Sequence, residues 1–322
     1  MRVLVTGING FAGSHLVDYI VENHKEVEIH GTIRSSSNLD NLQHVTYKIK
    51  LHSVELTDIQ SIISLLRSVV PDKIFHLAAQ STVMKSFEDP INTMQTNVLG
   101  TLNLLEAIRK TNMDCIVQVC SSSEVYGQVS EDKIPIKEDT PFYPVNPYGV
   151  SKVAVDRLAF QYFQTYGLKT IITRAFPHTG PRRNPIFAES SFAKQLIEIE
   201  NGESKPIYVG NLDSIRTFLD VRDMVEAYWV ATEKCAFGDA YNIGSETPVT
   251  MNALLTKLIS LSRTEAYIKK DDKLLRPTDI SNHIPNTSKF RNQTKWNPKI
   301  PLEKTLADLL NYWRSRLGNN DE

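Results

Sequence analysis

Apolar and polar residues alternate along the first half of the chain in two rhythms. Short β-branched runs read as buried strands: "VLVTG" (3–7), "EVEIHGTIR" (26–34), "KIFHLAA" (73–79), "CIVQVC" (115–120) and "KTIITRAF" (169–176). Between them lie stretches with helical spacing. "SHLVDYIVEN" (14–23) places Leu16, Ile20 and Val21 on one face, and "IQSIISLLRSVV" (59–70) ends at Pro71. "TNVLGTLNLLEAIRKT" (96–111) and "SKVAVDRLAFQYFQTYG" (151–167) continue the series, the latter with Gly167 as a stop signal. "SSSNLDN" (35–41) reads as a loop, and "TYKIKLHSVEL" (46–56) as a third strand with its approach. Such alternation predicts an α/β fold: a Rossmann-type doubly wound parallel sheet with helices on both faces.

From residue 177 the rhythm changes. Pro177, Gly180, Pro181 and Pro185 break the chain, and the later segments ("SSFAKQLIEIENG", "PIYVG", "DAYNIG", "TLADLLNYWRSRL") are irregularly spaced. The expected organisation is a dinucleotide-binding domain over 1–176 and a smaller mixed α/β lobe over 177–322, interleaved with the last sheet strands.

Composition narrows the class. The chain has 322 residues, 41% hydrophobic and 23% charged, with 36 basic and 37 acidic residues. A net charge of −1 argues against a nucleic-acid binder relying on a broad basic surface. Cys115, Cys120 and Cys235 make no disulfide framework, and neither the cysteines nor the eight histidines form a metal-like cluster, so no metal is expected. No run approaches the ~20 apolar residues of a membrane span. "MRVLVTG" enters a strand at once, so no signal peptide is expected and a cytoplasmic location is.

Two motifs carry chemistry. "GINGFAG" sets Gly7, Gly10 and Gly13 between a strand and a helix, where small residues let backbone N–H groups approach a pyrophosphate. At the end of the second strand, where NAD sites usually carry an acid, the chain has Arg34 and Ser35. These suit a 2′-phosphate, so NADP is expected, with NAD possible. Tyr148 and Lys152 in "YGVSK" lie four apart on one helical face, where the ammonium is expected to lower the phenol's pKa for proton transfer. "CSSSEVYG" (120–127) crowds hydroxyls, a carboxylate and a phenol at a strand end.

"TGINGFAG", "FHLAAQS", "SSSEVYG", "NPYGVSK" and "RTFLDVRDMVEAY" together resemble the extended short-chain dehydrogenase/reductase family over nearly the whole chain. "HTGPRR", "SSFAKQLIEIE", "VGNLDSIRTF", "LLRPTDI" and "WNPKIPLEKTLADLLNYW" are most similar to its GDP-mannose 4,6-dehydratase and GDP-4-keto-6-deoxymannose reductase branch. The resemblance implies Tyr148 as catalytic acid/base, Lys152 as its partner on the nicotinamide ribose, Ser122 orienting the sugar O4, and Glu124 as a second acid/base. It implies cofactor contacts from Gly7, Asn9, Gly10, Phe11, Ala12, Gly13, Arg34, Ser35, Glu55, Leu56, Leu77, Ala78, Ala79, Tyr148 and Lys152. Substrate contacts fall on Gln80, Ser81, Lys194, Asn211, Arg216 and Arg276. A homodimer or homotetramer is implied as well. Ser121, Ser123, Val125, Tyr126 and His178 read as structural. For Arg182 and Arg183, guanine or phosphate contact, an oligomer contact and solvation all stay open. The chain departs from the family pattern with Ser122 in place of threonine, with Pro177 where many relatives have asparagine, and without paired arginines after the second strand.

The leading expectation is a nucleotide-sugar 4,6-dehydratase acting on GDP-mannose or a similar GDP-hexose. A 4-keto-sugar reductase using NADPH is the alternative. A non-catalytic dinucleotide sensor is disfavoured, since it needs no complete Ser/Tyr/Lys set.

Overall fold

The computed structural model describes residues 1–275, 277–278 and 280–318. The first half runs β1 (Arg2–Thr6), α1 (Phe11–Asn23), β2 (Glu28–Ile33), β3 (Ile49–Ser53), α2 (Ile59–Val69), β4 (Lys73–His76), the short α3 (Val83–Glu88) and α4 (Pro90–Met94), α5 (Gly100–Lys110), β5 (Ile116–Ser122), α6 (Pro147–Tyr166) and β6 (Lys169–Ala175). The second half adds β7 (His178–Thr179), α7 (Ala188–Glu200), β8 (Ile207–Val209), β9 (Ile215–Thr217), β10 (Leu219–Asp220), α8 (Val221–Lys234), β11 (Ala240–Ile243), β12 (Pro248–Thr250), α9 (Met251–Leu261), β13 (Ile268–Lys270), α10 (Ser288–Thr294) and α11 (Leu302–Leu317).

Seven strands form one parallel sheet in the order β11-β6-β5-β4-β1-β2-β3. Its central strands are covered on both faces, so they are apolar runs rather than alternating ones; Val3, Leu4 and Val5 of β1 are fully buried. α1 and α8 pack in one core layer, and α2, α5 and α6 supply the other. This is the doubly wound Rossmann architecture. Both α8 and β11 come from beyond residue 176, so the change of rhythm there is not a boundary in space. A third core, built by α7, α9, α11 and β8, forms the smaller lobe.

Local differences from the sequence pattern have physical causes. The third strand covers only Ile49–Ser53, because Asp40–Lys48 winds into a 3₁₀ helix that buries Leu42 and Val45. The helix expected from 96 becomes regular at Gly100, after a π turn over Gln95–Leu99. α6 starts at Pro147, four residues before the apolar periodicity, because Asn146 caps it and proline suits the first helical position. The order in which strands are added reverses about β1, so the C-terminal ends of β1 and β4 open the crevice where doubly wound sheets bind ligands.

Candidate active site

At the end of β1 the chain turns through Gly7 at φ +67°. A Cβ on Gly7 would lie 2.9 Å from the Ala78 Cα, and one on Gly13 would lie 2.4 Å from the Gly7 carbonyl oxygen. The turn, the chain after β4 and the start of α1 therefore meet with no room for side chains. Gly10 precedes α1 without a side-chain capping bond, so no side chain competes for the N–H groups of the first turn, Phe11, Ala12 and Gly13. A diphosphate fits this cradle by chemistry and by space. Leu77 and Ala78 donate backbone N–H groups to Thr6 Oγ1, each at 3.1 Å, which sets Leu77, Ala78 and Ala79 along its edge.

The remaining cofactor candidates surround the same end of the sheet. Asn9 Nδ2 donates to the Asn38 carbonyl at 3.0 Å, tying the glycine loop to the turn after β2. Arg34 and Ser35 are exposed in that turn, which Ser37 closes by accepting from the Arg34 N–H at 3.1 Å. Glu55 is exposed just past β3; Leu56 is buried, its carbonyl accepting from Asn103 Nδ2 at 3.0 Å.

The catalytic candidates meet where β5 ends. Ser122, Tyr148 and Lys152 are all buried. Ser122 and Tyr148 are hydrogen-bonded to each other, and Lys152 Nζ donates to the Cys120 carbonyl at 2.7 Å. The expected lowering of the phenol is reversed. Burial raises Tyr148 above the ordinary phenol value, outweighing the Ser122 hydrogen bond and the positive charge of Arg183. The Lys152 ammonium is 5.9 Å from the Tyr148 ring centre and engaged elsewhere, and burial lowers its own pKa. Glu124 sits half-buried in a 3₁₀ turn that begins right after Ser122, its N–H donating to Ser122 Oγ at 3.2 Å. Its Oε2 accepts from Asn146 Nδ2 at 2.8 Å. Ser121, Ser123, Val125 and Tyr126 are buried, and Tyr126 Oη donates to Asn242 Oδ1 at 2.6 Å.

Two features were not legible in the sequence. Arg183 is not a solvated residue: its guanidinium lies 3.4 Å from the Phe187 ring centre and 5.0 Å from that of Phe11, with Glu189 at 3.1 Å. Its charge acts on Tyr148. "PRRNP" marked the residue, but nothing in that string said which ring or carboxylate it meets. His178 stacks on Phe11 at 5.8 Å, and its Nδ1 bonds the Phe176 carbonyl. The second feature is a buried relay of polar groups. Thr101 donates to the Asn97 carbonyl at 2.6 Å, so it accepts from His76 Nε2 at 2.9 Å, and His76 Nδ1 accepts from Thr6. Asn97, in the π turn, donates to the Gln80 carbonyl and to Ser151 Oγ, and Ser151 donates to the Tyr148 carbonyl. The end of β1 before the glycine loop and the first turns of α6 are thus joined through one hydrogen-bonded chain.

The substrate candidates are more dispersed. The Gln80 amide is turned inward onto Thr82 and Thr93, and Ser81 beside it is exposed. Lys194, on α7, pairs with Glu198 at 3.4 Å. Asn211 accepts from the Asp213 N–H in a turn. Arg216, on β9, is half-buried and lies near His283, whose ring packs on Phe176 at 5.2 Å. Arg276 lies outside the described residues. Among the described residues no group of three or more His, Cys, Asp or Glu side chains could hold a metal ion.

A parallel doubly wound sheet, a glycine cradle at its switch point and a buried Ser–Tyr–Lys set beside it define an extended short-chain dehydrogenase/reductase. Within that class, the sequence model of the GDP-mannose 4,6 dehydratase family matches residues 4–309, and the chain belongs to that family. It is 31% identical over 317 residues to GDP-6-deoxy-D-mannose reductase of Pseudomonas aeruginosa, covering 98% of each chain. It is 29% identical to GDP-mannose 4,6-dehydratase of Vibrio cholerae, covering 96% of this chain and 92% of the other. The solved structure of the Pseudomonas aeruginosa protein RMD complexed with NADPH superposes with a TM-score of 0.86 at 31% identity, covering 98% of this chain and 99% of that one.

Proposed function

We propose that the protein is a nucleotide-sugar 4,6-dehydratase acting on GDP-mannose or a similar GDP-hexose. The observation that carries this reading is the shared scaffold of two acid/base groups. Glu124 leaves the strand end one residue after Ser123, and Asn146, two residues before Tyr148, holds its carboxylate. A reaction with two separate proton transfers needs such a pair.

Gly7, Gly10 and Gly13 with the first turn of α1 would hold a dinucleotide diphosphate, and Arg34 and Ser35 favour NADP over NAD. A bound dinucleotide would supply the hydride chemistry, oxidation at C4 of the sugar and reduction at C6. Tyr148, with Ser122 donating to its oxygen, accepts the proton of the C4 hydroxyl. Burial opposes the phenolate this step needs, while the Ser122 hydrogen bond and the charge of Arg183 favour it. The resulting 4-keto group acidifies H5. Glu124 takes that proton and passes it to the C6 hydroxyl, which departs as water; once hydride has reached C6, C5 takes up a proton from solvent, and Tyr148 releases the one it gained from the C4 hydroxyl. Residues 1–176 would supply the dinucleotide site, and the lobe beyond 177, through Lys194, Asn211, Arg216 and Arg276, the nucleotide-sugar site.

A second reading is an NADPH-dependent 4-keto-sugar reductase, favoured by the 31% identity over 98% of each chain with a protein of that name. Incubation with GDP-mannose, without and with NADPH, followed by mass spectrometry, separates the two. Loss of one water without added reductant supports the dehydratase. Turnover only of a 4-keto sugar, and only with NADPH, supports the reductase.

Ile91, Leu99 and Val150 expose apolar side chains on α4, the π turn and α6, which suits pairing of two copies into a homodimer or a homotetramer. Light scattering on the purified protein tests this. Among the described residues no helix is long and apolar enough to cross a membrane, and the three cysteines are free, which fits a reducing cytoplasm.

A further inference from the structure

Asn146 carries one amide between two neighbours that fix which way it faces. Its Oδ1 accepts from the Gly149 N–H at 2.7 Å and caps α6. A backbone N–H cannot face an amide NH2, so Nδ2 is left to donate to Glu124 Oε2, at 2.8 Å. Asn146 is 5% exposed, so its orientation is not shared with solvent. A donor fixed against Oε2 sets the plane of the carboxylate and leaves Oε1 as the oxygen to act. The backbone is locked in the same place: a Cβ on Gly149 would fall 2.7 Å from the Glu124 carbonyl oxygen. The first turn of α6 and the Glu124 turn are therefore one unit.

We propose that Asn146 is a positioning residue that holds Glu124 aimed at the substrate proton. The inference rests on the acid/base role proposed above for Glu124. The other charged or titratable groups around this unit are Tyr148 and Lys152 on α6, Arg183 beside Tyr148, His283 beside Ser123, and Arg216 beside His283. Substitutions at Asn146 leave all of them in place.

Two variants separate capping from positioning. Asn146→Ser keeps an oxygen to cap α6 but has no amide to reach Glu124. Asn146→Asp keeps size and cap but replaces the donor by a carboxylate, which repels Glu124 Oε2. Each is assayed over a range of GDP-mannose concentrations in D2O, following deuterium incorporation at C5, with Glu124→Gln as control. Asn146→Ser should melt near the parent and exchange C5 more slowly by roughly tenfold, a part of the roughly 100- to 10,000-fold a positioned acid/base contributes. In Asn146→Asp the exchange should slow at least as much, with the KM for GDP-mannose unchanged in both variants. Exchange at the parent rate in Asn146→Asp, or a slowing that appears in KM alone, overturns the proposal. If this happens while Glu124→Gln is inactive, the role of Glu124 stands and only the inference about Asn146 falls. If Glu124→Gln exchanges C5 at the parent rate, both fall.

Discussion

At the residue scale, the site separates two proton-handling groups by environment. Tyr148 is buried and hydrogen-bonded to Ser122, whereas Glu124 is half-buried with one oxygen tied to Asn146. Tyr148→Phe removes only the hydroxyl, so cofactor binding should persist while turnover falls by roughly 100- to 10,000-fold. Single-turnover rates and a dinucleotide titration on the same preparation check this, and a loss below about tenfold on that scale would point to another base. Glu124→Gln keeps size and hydrogen bonding but cannot take the H5 proton. Oxidation at C4 remains open to it, so reduced nicotinamide absorbance should build up without loss of water from the substrate. Water loss at the parent rate would remove Glu124 from the mechanism. In a reductase the same change touches no required proton, and turnover of a 4-keto sugar should fall only modestly.

At the scale of elements, the strand ends are where sequence and structure speak most clearly together. The turn after β2 presents Arg34 to solvent beside Ser35, and Asn9 ties that turn to the glycine loop. Arg34→Asp should weaken NADP binding far more than NAD binding, because the new carboxylate repels the 2′-phosphate that the guanidinium attracts. Equal weakening of the two dinucleotides in that variant, or NADP binding as tight as in the parent, would mean that Arg34 faces away from the ribose. The strand runs and the glycine loop were readable because a fully buried parallel strand leaves an apolar run, and a diphosphate cradle leaves glycines. The π turn over Gln95–Leu99 and the 3₁₀ helix over Asp40–Lys48 were not, since both arise from how neighbouring elements dock rather than from periodicity. The same holds for Arg183. Its partners Phe11, Phe187, Glu189 and Tyr148 come from separate parts of the chain, and only the fold assembles them. The lowered phenol expected from Lys152 also failed for a tertiary reason, since burial of Tyr148 is set by the whole cleft.

At the scale of the whole molecule, the fold stores neutral histidines in several places at once. His15 and His178 are pushed down to about 4, and His76 and His283 to about 3, in each case first by burial. A nearby cation adds to it: Arg182 for His15, Arg183 for His178, Lys152 for His76 and Arg216 for His283. His30 and His52, hydrogen-bonded to each other at 2.9 Å, are lowered too. Below pH ~6.5 these residues take up protons in the unfolded chain but not in the fold, so the unfolded state binds more protons. Stability from this source is fully present above pH ~6.5 and is lost as pH falls towards the folded values. At pH 5.5 each strongly lowered histidine costs on the order of 1 kcal/mol, and four together cost a sizeable share of the ~5–15 kcal/mol that holds a typical domain folded. Glu138 and Asp223 are raised by burial and act in the opposite sense, between their folded values and the unfolded ones around pH 4, so they offset part of the fall. Glu106, held down at about 2 by Arg109, loses its contribution only as pH falls below about 4.5. Urea unfolding at pH 7.5, 6.5 and 5.5 should therefore show little change over the first step and a clear fall in midpoint over the second. A midpoint that holds steady to pH 5.5 would show that these imidazoles are protonated inside the fold at little cost, and that the buried Thr6–His76–Thr101 relay is not locked in its neutral form.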